Sequence, residues 1–252
     1  MAILAALYGL AVYLFFLATF VYAIGFVGNL PLLPKTIDSG ATAPLAETLV
    51  VDLALLGLFA VQHSVMARRG FKRWWNQVIP ESMERSTYVL AASAALALLL
   101  WQWRPIAVPV LWSVADPIGR LVLYGVFWLG WGVLLISTFL INHFELFGLR
   151  QVWANLRGQA LPAPTFHTPL FYRHVRHPIY LGFVLAFWAT PQMTAGHFLF
   201  AAACTAYILI DIWFEERDLL AQFGQRYVVY RQQVGMLFPK FGARNRKGPE
   251  QS

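Results

Sequence analysis

Residues 179–214 read IYLGFVLAFWATPQMTAGHFLFAAACTAYILIDIWF, a run whose one charged residue is Asp211. At about 1.5 Å of rise per residue this is far more than a single helix needs to cross a hydrocarbon core of about 30 Å. Thr190-Pro191 interrupts it, because proline has no amide donor and disfavours helix in the residue before it. The run therefore reads as a helical hairpin that returns the chain to the membrane face it started from.

Working outward, four more apolar runs of spanning length precede it: Ala2 to Gly28, Leu45 to Ala67, Ser86 to Trp103 and Pro117 to Ile141. The chain is 59% hydrophobic and 12% charged, against about 25% charged in soluble domains. These runs predict an all-α fold, a polytopic transmembrane helical bundle of five or six spans. The number turns on whether the short segment Ile179 to Ala189 crosses fully. The first run has no basic leader and no small-residue cleavage site followed by a polar region, so it reads as a retained span and not a signal peptide.

Basic residues set the orientation. Of the 19, all but Lys35, Arg104 and Arg120 fall in three places: Arg68 to Arg85, Arg150 to Arg176, and the tail from Arg217 onward. Six spans with both termini in the cytoplasm, in a bacterial inner membrane, satisfy this alternation. Five would strand the basic tail on the wrong side. The net charge of +7 is then a topology signal and an attraction to anionic membrane lipid, with no call for nucleic acid. Lone Cys204 excludes a disulfide framework. No repeat, low-complexity tract or second soluble domain is visible, so residues 1–241 read as one domain, 242–252 as a flexible polar tail, and no obligate protein partner is implied.

Ionisable groups inside spans are costly and mark candidate sites. Asp52 and His63 share a helix face 11 residues apart. Tyr207, Asp211, Glu215 and Asp218, spaced four, four and three, make a polar ladder down the last span. Each has a plainer reading: Asp52 paired with Lys35 or a polar neighbour, His63 at the interface. Gly125, Gly130 and Gly132 suit close helix contacts. His167, His174 and His177 lack a cysteine and no metal site is expected. Phosphate loops, dinucleotide fingerprints and serine-nucleophile elbows are missing from the sequence. Between spans, 142–177 reads as an ordered connector on the membrane surface. From Glu215 the last span reads as continuing in one helix, with a stripe of Leu219, Leu220, Phe223, Tyr227 and Tyr230.

Two segments flank the hairpin, Arg173-His174-Val175-Arg176-His177-Pro178-Ile179-Tyr180-Leu181-Gly182 before it and Glu215-Glu216-Arg217-Asp218-Leu219 with Phe223-Gly224 and Tyr227-Val228-Val229-Tyr230 after it. Brought to one face they would mix cations, carboxylates and aromatic rings, which suits an amphoteric, partly cationic ligand. Over roughly residues 173–238 the pair resembles the membrane methyltransferases related to isoprenylcysteine carboxyl methyltransferase and to the NnrU-like proteins. The resemblance implies that segments 173–182 and 215–230 bind S-adenosyl-L-methionine in a pocket on the cytoplasmic side. It assigns cofactor binding to Arg173, His174, Arg176, His177, Pro178, Tyr180, Gly182, Glu215, Glu216, Arg217, Tyr227 and Tyr230.

Upstream, residues 140–151, LINHFELFGLRQ, depart from the isoprenylcysteine enzymes and are similar to the methanethiol S-methyltransferases. That branch implies methylation of a small thiol, methanethiol to dimethyl sulfide. Methyl transfer from a sulfonium to a thiolate neutralises two charges, so a dry pocket favours it. The thiol proton needs an acceptor: His143 is the candidate base, Asn142 and Glu145 its candidate orienters, and Arg150 or Arg176 a candidate for steadying thiolate instead. A lipid or isoprenylcysteine methyltransferase is the alternative. A small proton-coupled transporter using Asp52, His63 and Asp211 is a third reading, weakened by the absence of paired half-domains.

Overall fold

A computed structural model describes residues 1–163 and 165–240. The flexible tail expected at 242–252, and residue 241 at the end of the expected domain, lie outside the described residues. In chain order the elements are α1 (Ala2–Val27), α2 (Leu45–Ala67), a short α3 (Arg69–Trp75), α4 (Glu81–Gln102), β1 (Val110–Ser113), α5 (Pro117–Ile141), α6 (His143–Leu146), α7 (Leu149–Leu156), α8 (Pro178–Trp188), β2 (Gln192–Thr194), α9 (Ala195–Phe223) and α10 (Gln225–Gln233). The fold is all-α. Helices α1, α2, α4, α5 and α9 are long and apolar enough to cross a membrane, and many of their large apolar side chains are exposed, as lipid-facing residues must be. The protein is an integral membrane protein.

The helix ends follow local chemistry. Asp116 caps α5 by accepting from the Gly119 amide at 2.7 Å, with Pro117 in the first turn. Thr194 caps α9 by accepting from the His197 amide at 3.1 Å. Helix α4 begins at Glu81, five residues before the apolar run, because Glu81 and Glu84 suit a first turn where the helix dipole favours negative charge.

The hairpin is asymmetric. Helix α8 has 11 residues, only about 16 Å, and Ala189 leaves the helix just before Thr190-Pro191. Extended chain makes up the remainder. An extended segment at membrane depth must pair its backbone, and this one does. Strand β2 runs antiparallel to β1, with Val110 opposite Thr194 and Ser113 opposite Gln192. The Val114 amide donates to Pro191, and those of Ala195 and Gly196 to Pro109 and Ile106. At one end of this traverse Arg176 and His177 meet the C-terminal segment; at the other, Thr194 donates to Asp38 in the first loop at 2.5 Å. Five helices are thus long and apolar enough to cross, while α8 with its extended continuation is not a full-length helix.

Helix α8 lies on α5, where a Cβ added to Gly182 would stand 2.6 Å from the Gly130 carbonyl oxygen, and one added to Gly130 would stand 2.6 Å from that of Gly182. Gly130 is therefore the close contact expected of it. Gly125 and Gly132 are not: open space surrounds both. The expected single helix beyond Glu215 breaks at Gly224, whose φ of 54° and ψ of −129° suit a residue without a Cβ. Turning there folds α10 back, so that Phe223, Tyr227 and Tyr230 pack around Phe166 of the connector, with ring centroids 5.3, 6.2 and 5.4 Å away.

Candidate functional site

The three basic segments converge on one face of the bundle, joined by Arg68 to Asp211 and Asp218, Arg85 to the Leu146 carbonyl, and Tyr230 to the Tyr172 carbonyl. At its centre stands Glu216. Its Oε1 accepts from Arg176 Nε at 2.8 Å and from His177 Nε2 at 3.2 Å, and its Oε2 lies 3.6 Å from Arg231. Pro178 starts α8 and leaves His177 outside the helix, where two backbone bonds clamp it: Arg176 N–H to Gly235 at 2.8 Å and His177 N–H to Met236 at 3.1 Å. The Arg176 guanidinium also donates to the Val234 and Arg231 carbonyls, at 2.5 and 3.2 Å. Nothing in the sequence marked residues 234–236, whose contribution is backbone alone.

Glu215 Oε2 lies 3.4 Å from His177 Nδ1. Burial opposes a charged imidazole, but hydrogen bonding and attraction from Glu215 and Glu216 outweigh it and raise the His177 pKa above its ordinary value. The tyrosines around this centre are held in their neutral, donating form. Burial pushes Tyr172 and Tyr227 well up and Tyr230 to about 12. Tyr180 donates to Asp211 at 2.8 Å and Tyr230 to the Tyr172 carbonyl at 2.6 Å. Two groups have capacity left over: the Tyr227 hydroxyl is buried with no hydrogen-bond partner among the described residues, and Glu215 Oε2, also buried, has only the long contact to His177 Nδ1. Leaving such groups unpaired costs about 1–3 kcal/mol each.

The other candidates from the two motifs sit apart. Arg173 is exposed and reaches only the Thr168 carbonyl, at 3.4 Å. His174 is exposed beside a cavity of about 160 Å³ formed with Val133, Phe171 and Pro239. Arg217 stacks over Trp213 and Phe214 at 5.3 and 5.9 Å. Gly182 belongs to the α5–α8 contact. His167 reaches the Thr165 carbonyl, and among the described residues no three His, Cys, Asp or Glu are grouped as metal ligands would be.

The candidate catalytic segment folds around the end of α5. Asn142 adopts a left-handed conformation, φ 116°, which stops the helix and allows its amide to donate to Glu145 Oε2 at 2.6 Å; Arg150 donates to the same oxygen at 2.7 Å. Glu145 is therefore occupied with Asn142 and Arg150. The expected orientation of His143 by Asn142 or Glu145 is not what holds its ring. The Thr138 hydroxyl meets Nδ1 and the Tyr13 hydroxyl meets Nε2, both at 2.9 Å. Phe139 stacks on the ring at 4.3 Å, and Phe147 and Phe144 close around it at 4.8 and 5.4 Å. Burial lowers the His143 pKa, so the ring is neutral near pH 7.

A third set of polar groups lies deeper, between α2, α4 and α9. Arg68 stands between Asp211 and Asp218 at 3.7 and 3.5 Å. Ser64 donates to Tyr207 at 3.4 Å, and His63 Nε2 is hydrogen-bonded to Tyr88 at 2.8 Å. Asp52 takes no part in it. On the far half of the bundle it accepts from the Arg104 amide at 3.0 Å, while Arg104 pairs with Glu47. The three groups of a proton path thus do not form one chain. Also in that far half, an apolar cavity of about 550 Å³ opens between Leu45 and Leu49 of α2 and Phe198 to Ala206 of α9.

The chain is 59% identical to methanethiol S-methyltransferase of Mycobacterium tuberculosis, over 94% of this chain and 96% of that one. It is 53% identical to methanethiol S-methyltransferase 2 of Bradyrhizobium diazoefficiens, over 98% and 94%. Further off is nurim of Bos taurus, 30% identical over 81% and 87%. No family model matches the chain, and no solved structure matches it significantly. With identity above one half across nearly the full length of both chains, the protein belongs to the methanethiol S-methyltransferase family.

Proposed function

We propose that this protein is an S-adenosyl-L-methionine-dependent methyltransferase that converts a small thiol, methanethiol above all, to its methyl sulfide, dimethyl sulfide. The observation that carries the reading is the Glu216 centre with its two unsatisfied neighbours. The cofactor has an amine, a carboxylate and ribose hydroxyls, and the residues fit it: Glu215 Oε2 offers an acceptor, the Tyr227 hydroxyl a donor, and Arg231, exposed at the rim, a cation for a carboxylate. When bound, it supplies a methyl group on a positively charged sulfur.

His177, Tyr180, Glu215, Glu216, Tyr227 and Tyr230 form this binding centre, with Arg176 fixing Glu216 in place. Glu215 and Tyr227 hold the ligand, while Pro178 and the 234–236 backbone hold His177. The ring of neutral tyrosines excludes water, which strengthens each charge contact and favours a step in which opposite charges cancel. Arg173, His174 and Arg217 stand at the rim and act there, if on anything, through long-range charge. The relatives' names support a thiol acceptor, and the basic character of this face supports a cytoplasmic orientation in a bacterial inner membrane.

Calorimetry of S-adenosylmethionine with the detergent-solubilised protein tests the pocket, with E215Q and Y227F each expected to weaken binding at least tenfold. Labelled cofactor supplied with methanethiol should yield labelled dimethyl sulfide in the headspace. Label found in lipid extracts instead would favour the lipid or isoprenylcysteine alternative, and no binding at all would end the methyltransferase reading.

A further inference from the structure

We propose that His63, and not His143, takes the proton from the thiol, and that the thiol binds between α2, α4 and α9 beside its free ring nitrogen. This rests on the thiol methyltransferase reading and adds the acceptor site to it. His63 Nε2 is engaged with Tyr88 at 2.8 Å, whereas Nδ1 is buried with no hydrogen-bond partner among the described residues. In His143 the reverse holds: both nitrogens face hydroxyls at 2.9 Å and aromatic rings surround the imidazole. A general base needs a lone pair that reaches the substrate. With Nε2–H donating to the Tyr88 oxygen, Nδ1 of His63 has one.

The surroundings suit a small apolar thiol. Phe59 stacks on the His63 ring at 5.3 Å, and Tyr207 meets it edge-on at 6.2 Å. The same Tyr207 heads the ladder of α9 that continues through Asp211, bonded to Tyr180, to Glu215. One helix face therefore leads from the acceptor side to the cofactor centre. Ser64 of α2 and Arg68 just past its end line that route, bonded to Tyr207 and paired with Asp211. In the step itself the S–H bond breaks and its proton forms an N–H bond at Nδ1. The electron pair left on sulfur becomes the new S–C bond, as the sulfonium–methyl bond breaks towards the donor's sulfur. The imidazolium then returns its proton to water.

The test uses the full-length enzyme and two variants. H63Q retains a polar group that can reach Tyr88 and removes the free nitrogen; H63A removes both. Methylation of an alkanethiol should fall about 100-fold in H63Q, within the usual range for a lost general base, with S-adenosylmethionine affinity unchanged. An acidic aryl thiol, already ionised at neutral pH, should lose less than about fivefold, because it has no proton to give. A second reading is the pH profile: in H63Q the alkanethiol rate should rise about tenfold per pH unit, in proportion to free thiolate, whereas the wild type should depend on pH less steeply. Full activity in H63Q, equal losses with both thiols, or the same pH profile in H63Q and wild type would overturn the assignment. Wild-type protein that binds cofactor but methylates no thiol would remove the parent reading and this one with it.

Discussion

The two faces of the bundle both carry buried polar groups, yet they use them differently. On the far face, polar side chains tie loops together: Asp52 takes the Arg104 amide, Trp103 and Trp112 donate to the Ile37 and Thr190 carbonyls, and the Asp38 carboxylate receives the Asn29 and Thr194 side chains at 2.6 and 2.5 Å, with Asp52 Oδ2 and His197 Nδ1 left without a partner among the described residues. On the basic face, charges tie helices to one another through side chains, and Glu215 and Tyr227 are left with groups to spare. The first pattern is what a fold needs to close its loops. The second sets its spare groups inside a cluster of cations, carboxylates and tyrosines, which is what an amphoteric ligand needs.

The largest effect that would break this contrast is at Glu216. In E216A, Arg176 and His177 lose their common partner in a poorly hydrated place, the Arg176 and Glu216 side chains being 9% and 12% exposed. Breaking such a pair leaves an uncompensated charge and costs about 3–5 kcal/mol. Thermal unfolding in detergent should fall steeply and cofactor binding should vanish; a normal melting curve would mean the hub is ornamental. Next comes G182L at the α5–α8 contact. Overpacking there should cost about 1–3 kcal/mol or more, lowering stability and, through the displacement of α8, cofactor affinity together.

On the far face, D38A should cost about 1–3 kcal/mol, by orphaning Asn29 and Thr194, with no change in affinity for S-adenosylmethionine. A large change in affinity would show that the two faces are coupled. The pH dependence sharpens the same distinction. His177 is raised above its ordinary value of about 6.5, so the stability it contributes is fully present below that value and is lost as pH rises through its higher folded value. Unfolding at a series of pH values should show this decline in the wild type and not in H177Q. The smallest effect is expected from R217A, an exposed stacking contact worth about 0.5–1 kcal/mol, with cofactor affinity within threefold of wild type.

Much of this was legible in the chain. Uncharged runs specify spans because burying charge in hydrocarbon is prohibitive, and Thr190-Pro191 specifies a break because proline cannot donate. The two motifs were recognisable because charged and aromatic residues crowd where the rest is apolar. Less legible was which of them point inward. Arg217 follows Glu216 by one residue, so helical geometry turns it about 100° away, onto Trp213. His63 read as interfacial, since Phe59 one turn before it is only an apolar neighbour and nothing local signals Tyr88, 25 positions away.

The sequence by itself determined the five long apolar helices and the pair of polar segments at the hairpin, since each follows from the composition and order of neighbouring residues. Tertiary structure alone decided that the short α8 is completed by a paired extended segment, that residues 234–236 clamp His177, and that one buried histidine has a free nitrogen while another has none. Apart from Thr138, five positions from His143, those outcomes depend on partners 25 to 130 positions away in the chain, brought together by packing and backbone pairing that no local pattern records.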